Sequence, residues 1–409
     1  MLNARKLQPM KRSTLIALLG IIFINSFAFF FVMPVFLHLF MPGADSILPS
    51  GLSHASRNLI FGIAVGLSAF TQVIFAPFVG HLSDRVGRKR VMCWCLCALV
   101  LAMVLALVGI AVHSLTLIFV SQLLSGLSSI SQPVARAYIA DCVTGTMKAF
   151  YFSLTTVAMV IALVVGPLVG GVFSDKALLV HASNSLPYWI ALLLAVMSVV
   201  LLLAFVKRDV IHDNVAVLSF RSIMAVWRQP LVRYLLLSFL VFEFAWAAYY
   251  QHLYLAWPIQ YHASATWVSL FTSYQGVLMI FATTLMYWWL LKKVSVQRIV
   301  IWGLLITGLC LLLMLLFPTQ LPQWILVTPA AIAIAVVYPS NMAWMSNNTA
   351  PEHQGSLMGF SNSILNLAWS SSSYAVAVMI NVNVRLPMLI SSVMMLVAFG
   401  LMFRKKERP

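Results

Sequence analysis

The chain has 409 residues, 62% of them hydrophobic and only 8% charged, whereas soluble domains carry about 25% charged residues. A chain this apolar cannot cover itself with polar surface, which excludes a soluble globular protein and makes lipid its solvent. A net charge of +16 would suggest nucleic acid in a soluble protein; here the excess basic residues read as loop charges that orient helices, so the expected partner is the lipid bilayer and not nucleic acid.

A bilayer span needs about 20 apolar residues, and twelve such segments follow one another: 14–40, 57–80, 91–113, 115–140, 150–174, 187–206, 231–256, 265–291, 297–317, 324–346, 356–380 and 387–403. The first follows a basic stretch, but it is too long for a signal peptide and lacks a small-residue cleavage site, so it reads as a retained span. Only Val112-His113-Ser114 parts segments 3 and 4, and Lys292 to Gln297 part segments 8 and 9. The longest connection, 207–230, is expected to be a cytoplasmic central loop, with a short amphipathic helix over Val217 to Trp227 at the lipid surface. It separates an N-terminal six-helix bundle, 1–206, from a C-terminal one, 231–409.

Placing the amino terminus in the cytoplasm puts all but three of the 25 Lys and Arg, namely Arg57, Lys176 and Arg385, on that side. That distribution supports an even number of spans with both termini cytoplasmic. At an offset of 208 residues Arg90-Val91 aligns with Arg298-Ile299, and Phe152-Ser153 with Phe360-Ser361, each at matching segment starts. The alignment points to a duplicated, pseudo-symmetric arrangement. Cys93, Cys95 and Cys97 open segment 3, but no histidine or second cysteine cluster completes a metal site, so they read as small membrane residues and no metal is expected.

Between segments 2 and 3 stands Gly80-His81-Leu82-Ser83-Asp84-Arg85-Val86-Gly87-Arg88-Lys89-Arg90. Its two glycines permit a tight turn and close helix approach, and Asp84 is placed to cap the next helix. Segment 5 carries Ala162-Leu163-Val164-Val165-Gly166-Pro167-Leu168-Val169-Gly170-Gly171, where small residues let two helices touch and Pro167 bends the chain. Ala137-Tyr138-Ile139-Ala140-Asp141 closes segment 4, and Ala350-Pro351-Glu352-His353-Gln354-Gly355 precedes segment 11.

Together these motifs resemble those of the major facilitator superfamily, most closely its drug:proton antiporter and tetracycline-exporter branch. The resemblance implies an all-α membrane protein of twelve transmembrane helices in two pseudo-symmetric six-helix bundles. It implies that Gly80, Asp84, Arg85, Gly87, Arg88 and Asp141 form a gating motif, with Asp84, Arg88 and Asp141 as its latch. It also associates Gly166, Pro167, Gly170 and Gly171 with export. The sequence departs from the pattern at Ala162, where a glycine is usual, and at Gln122, where an arginine is usual; segment 1 offers Asn25 and Ser26 but no acid.

Glu243 is the acid expected deep inside a segment, about 18 Å from the start of segment 7 at 1.5 Å per residue. Intramembrane acids are costly and mark function by default, so Glu243 is the proton-coupling candidate; the alternative is a single structural hydrogen bond. Its helical face carries Trp246, Tyr250, Tyr254 and Trp257. Polar stripes occur at Gln122, Gly126, Ser129, Pro133 and Arg136, at Asn341, Trp344 and Asn348, and at Asn362, Asn366, Trp369 and Ser373, with Gln275 in segment 8. Such groups either bind neighbouring helices or line an aqueous cavity. The cavity reading takes Asn25, Gln122, Arg136, Trp246, Tyr250, Tyr254, Gln275, Asn341, Trp344, Asn362, Asn366 and Trp369 as its candidates. Arg136, close to a segment end, is also placed to snorkel to the interface.

The expected function is secondary transport of a small organic molecule by alternating access, in the direction of proton-coupled export. The proton gradient serves as energy source, no cofactor is needed, and the chain works as a monomer in the inner membrane. One alternative is uptake of a nutrient, metabolite or siderophore. Another, of a different class, is a membrane-embedded enzyme or transporter-derived sensor, but no nucleophile motif, metal cluster, Walker sequence or soluble domain supports it.

Overall fold

The computed structural model describes residues 10–42, 46–143, 145–174, 183, 185–206, 224, 226–350 and 354–406. Twelve helices among them are long and apolar enough to cross a membrane. In the N-terminal half these are α1 (Arg12–Phe40), α2 (His54–Val86), α3 (Arg88–Ala111), α4 (Leu115–Cys142), α5 (Gly145–Ser174) and α6 (Leu186–Phe205). In the C-terminal half they are α7 (Pro230–Tyr261), α8 (Ala265–Leu291), α9 (Val296–Leu316), α10 (Gln320–Asn347), α11 (Gln354–Val382) and α12 (Leu386–Lys406). In hydrocarbon every backbone group must be satisfied within its own segment, and a helix does so. The exterior bears this out: in α6 only 28% of the apolar window is buried, and Leu193 is 70% exposed, a surface that only lipid can cover.

The expected segments fall within these helices, with informative exceptions. Helix α2 does not stop near residue 80 but runs to Val86, and α3 begins at Arg88. The connection is Gly87 alone, at φ 117°, a conformation open to glycine and strained for any other residue. Asp84 therefore lies inside α2 and does not cap α3, whose N-cap Gly87 makes no side-chain cap bond. Gly80 is also internal to α2, with open space where a Cβ would stand, so it serves neither a turn nor a close approach.

Two other helices are locally interrupted. In α4 the segments Leu115–Ser129 and Ser131–Cys142 meet at Ile130. Pro133 lacks the N–H that would bond to Ser129 and crowds that carbonyl, which breaks the ladder there. In α8, Ala265–Phe281 and Tyr287–Leu291 are joined by a π-helical turn, Ala282–Met286. The Thr283 and Thr284 hydroxyls donate back to the carbonyls of Met279 and Ile280, each at 2.7 Å, competing with the backbone ladder.

By packing, the chain divides into two compact units: residues 1–36 with 74–217, and residues 37–73 with 218–409. One boundary falls inside the expected central connection; the others cut α1 after Phe36 and α2 after Val73. The amphipathic helix expected over Val217–Trp227 lies largely outside the described residues, as do residues 351–353 of the motif that leads into α11.

In the first unit, Leu18, Ile21 and Ile22 of α1, Met92 and Leu96 of α3, Ala135 and Ile139 of α4 and Leu202 of α6 form one buried cluster. A Cβ on Gly166 would stand 2.8 Å from Cβ of Phe30, and one on Gly170 would collide with the Phe31 carbonyl oxygen, so α5 meets α1 nearly backbone to backbone. In the second unit the start of α2 packs on α11 in the same way. Gly62 and Gly66 face the carbonyls of Ser373 and Ser370, the Ser370 hydroxyl donates to the Gly66 carbonyl at 3.0 Å, and Asn58 donates to Asn381 at 2.9 Å. Arg57, 1% exposed, binds the carbonyls of Phe40, Leu52 and Pro49 and the Ser46 hydroxyl. It thereby satisfies backbone groups of the α1–α2 connection that no helix ladder reaches.

Candidate functional site

The gating-motif charges come together in the first unit. Arg88, at the first position of α3, pairs with Asp84 one turn back across Gly87, and its Nε stands 3.1 Å from Oδ2 of Asp141 at the end of α4. The Ser83 hydroxyl accepts a further bond from its Nη1 at 2.7 Å. One guanidinium thus ties together the ends of α2, α3 and α4. Its fork of donors suits two carboxylates at once. Arg85 is exposed and stands outside this group.

The N-terminal cavity candidates are not assembled around one site. Asn25 donates to the Ser128 carbonyl at 3.2 Å and to the Ser131 hydroxyl at 3.3 Å, and accepts from Gln132 at 3.1 Å. Its amide therefore bridges the break in α4, where Ser128 and Ser131 flank the interrupted ladder. Arg136 turns toward α5, with Nε 3.2 Å from the Thr155 hydroxyl and Nη2 2.7 Å from the Met159 sulfur. Gln122 lines a small cavity with Phe29, Met33, Met103, Ser125 and Tyr188, and the buried Tyr188 hydroxyl lacks a hydrogen-bond partner.

The C-terminal candidates converge more closely. Glu243 is 6% exposed, about 20 Å along α7 from Pro230. The Trp369 side chain of α11 stands beside it. The Trp369 ring lies 5.8 Å from that of Tyr250, and Tyr250 lies 5.7 Å from Tyr254. The two phenol hydroxyls are buried beside Thr272 without well-formed hydrogen bonds. Trp246 packs on Tyr249 at 5.2 Å, and Gln275 donates to the Tyr249 hydroxyl at 3.1 Å while its own amide oxygen is left over. The result is a carboxyl, an indole and several phenols held by α7, α8 and α11, with spare hydrogen-bonding capacity in a buried setting. Arg88 pairs with Asp84 and Asp141, and among the described residues Glu243 has no basic partner.

Other candidates stand apart from this cluster. Asn341 is fully buried with neither amide atom bonded, and the Trp344 indole N–H on the same face is likewise unpartnered. Asn362 is exposed, and Asn366 donates its amide to the Asn362 carbonyl of its own helix at 2.9 Å. Trp257, on the sequence face of Glu243, instead packs on Phe271 at 4.2 Å.

Sequence reasoning missed Gln251, which is 5% exposed. Its Nε2 donates to the Trp369 carbonyl at 3.2 Å and the Ser372 hydroxyl at 2.9 Å, and its Oε1 accepts from the Ser373 hydroxyl at 2.5 Å. Gln251 fixes α11 against α7 at the level of Trp369. The available signal was a lone amide inside an apolar helix opposite the run Ser370 to Ser373.

An all-α, twelve-span membrane protein with a carboxyl buried in its seventh helix is the class that fold and site define. The chain belongs to the Major Facilitator Superfamily, whose sequence model matches residues 15–286 and 254–409. It is 29% identical to the class B tetracycline resistance protein of Escherichia coli over 177 residues, 43% of this chain and 42% of that one. It is 23% identical to multidrug resistance protein 2 of Bacillus subtilis (strain 168) over 407 residues, 97% and 96% of the two chains. The matched stretches span 42% and 40% of the class B and class C tetracycline resistance proteins of Escherichia coli. The fold is similar to that of the transporter PepTSo, with a TM-score of 0.76 at 13% identity over 98% of this chain and 100% of the other. It is also similar to that of the human organic anion transporter MFSD10, with a TM-score of 0.73 at 18% identity over 97% and 100%.

Proposed function

We propose that the protein is a secondary transporter that exports a small organic molecule by alternating access in exchange for entering protons, with Glu243 as the proton carrier. The observation that carries this reading is a buried carboxyl beside Trp369, whose ring adjoins Tyr250 and through it Tyr254, with no basic side chain among the described residues to hold it in a permanent ion pair. Such a group is free to gain and lose a proton as its access changes, and the surrounding rings suit an organic solute. The resistance named in the matched relatives supports an outward direction, since removal is how a membrane carrier protects a cell. The basic-residue distribution supports an inner-membrane protein with both termini cytoplasmic. On this reading the chain works as a monomer, driven by the proton gradient without a cofactor and catalysing no covalent step.

The test is transport into everted vesicles with a panel of organic compounds, with and without an imposed proton gradient. The wild-type protein concentrates a compound only with the gradient. Glu243→Gln retains shape and binding, and it still exchanges substrate while losing gradient-driven accumulation. Continued accumulation by the Glu243→Gln protein would remove Glu243 from the coupling role.

A further inference from the structure

The connection between α8 and α9 carries features that the transport reading does not use. Lys292 folds back over the ring of Trp288, its Nζ 3.2 Å from the centroid, and Lys293 over Trp289 at 4.3 Å. Both indoles are open to the surroundings, Trp288 at 65% and Trp289 at 50% exposure. The chain turns tightly after Lys293, and the exposed Arg298 falls in the first turn of α9, with Trp302 one turn further and also exposed. Below these residues both helices present apolar stripes outward: Val277, Phe281 and Leu285 on α8, Ile306, Leu309 and Leu313 on α9. Three cations and three indoles therefore sit at the shared end of two lipid-facing stripes.

Among the described residues no carboxylate pairs with Lys292, Lys293 or Arg298. No Asp or Glu occurs between Glu243 and Glu352. The Ser295 N-cap of α9 makes no side-chain cap bond, so the positive end of the helix dipole adds to the three side chains. Tryptophan prefers the headgroup level of a bilayer. A lysine held over an indole is kept in that plane instead of reaching into water. We propose that this end of α8 and α9 is a binding site for an anionic phospholipid, with its phosphate among Lys292, Lys293 and Arg298 and its acyl chains along the two stripes. A free phosphate shares the headgroup chemistry, but the indoles and stripes fit only a molecule that also has apolar chains.

The experiment reconstitutes the full chain in phosphatidylcholine vesicles containing, at equal mole fraction, either phosphatidylglycerol or phosphatidylcholine with brominated acyl chains. Tryptophan quenching is then read. Brominated chains quench indoles they touch, and the signal is independent of protein orientation. The wild-type protein is quenched more by the anionic lipid. Removing cations one at a time by Lys292→Gln, Lys293→Gln and Arg298→Gln lowers that preference by about fivefold per charge. Trp288→Phe with Trp289→Phe and Trp302→Phe, which leaves the charges in place, removes the excess signal that these three exposed indoles report. Added inorganic phosphate leaves the preference unchanged. Equal quenching by the two lipids, an excess that survives loss of the three cations, or displacement by inorganic phosphate would each overturn the proposal.

Discussion

Nε of Arg88 stands 3.1 Å from Oδ2 of Asp141 while the same guanidinium pairs with Asp84, so a single side chain couples the ends of three helices. The two carboxylates are not equivalent. Asp84 shares a turn with Arg88 across Gly87, whereas Asp141 is the long-range partner that holds α4. Asp141→Asn should therefore slow transport severalfold while substrate binding persists, because it changes the relative stability of states and not substrate contacts. Its effect on stability should be about 1–3 kcal/mol, since the pair is largely buried while Arg88 keeps Asp84 as a partner. Turnover measured beside equilibrium binding checks this, and unchanged turnover would reduce the motif to an orientation signal.

Two glycines of the same motif should respond in opposite ways. Gly80 lies inside α2 with free space around it, so Gly80→Ala should stabilise the protein by about 0.5–1 kcal/mol through helix propensity. Gly87 stands at φ 117°, where Gly87→Ala should destabilise it by about 1–3 kcal/mol. Thermal unfolding of both variants in one detergent decides the point. Equal and opposite shifts need not appear, but a Gly87→Ala protein as stable as the wild type would contradict the one-residue connection.

On α5, Gly170→Ala sets a methyl against the Phe31 carbonyl oxygen, which is backbone and cannot rotate away. The expected loss is about 1–3 kcal/mol as α1 and α5 are forced apart. A lowered melting temperature checks it, and a Gly170→Ala protein as stable as the wild type, or stabilised as Gly80→Ala is expected to be, would show that the two helices do not meet there.

Asn25 separates a structural role from a cavity role. Asn25→Ala strips the Ser128 carbonyl and the Ser131 hydroxyl of a donor at the break in α4, at an expected loss of about 1–2 kcal/mol. Substrate affinity should be preserved. Normal stability with weakened binding would return Asn25 to the cavity lining.

Much of the fold was legible without coordinates, because hydrocarbon solvent leaves a chain little choice. Runs of about 20 apolar residues must form helices, and basic residues mark their ends. The meeting of Asp84, Arg88 and Asp141 was legible through motif resemblance, and Glu243 stood out by its charge in an apolar run. The cavity residues were less legible, since a polar stripe looks alike whether it faces water or a neighbouring helix. Asn25 and Arg136 proved to bind adjacent helices, Asn366 its own helix, and Gln251 escaped notice although it joins α7 to α11.

By itself, then, the amino-acid order determined that this is a twelve-span membrane protein with one carboxyl deep in its seventh segment, since burial in lipid is a local requirement that each segment meets alone. The tertiary structure decided what each polar group faces. That Trp369 of α11 attends Glu243, that Gly170 yields to Phe31, and that α2 runs on to Gly87 all depend on neighbours distant in sequence or on a single backbone angle. Helical periodicity specifies the side of a helix on which a residue lies, but only packing specifies what stands opposite it.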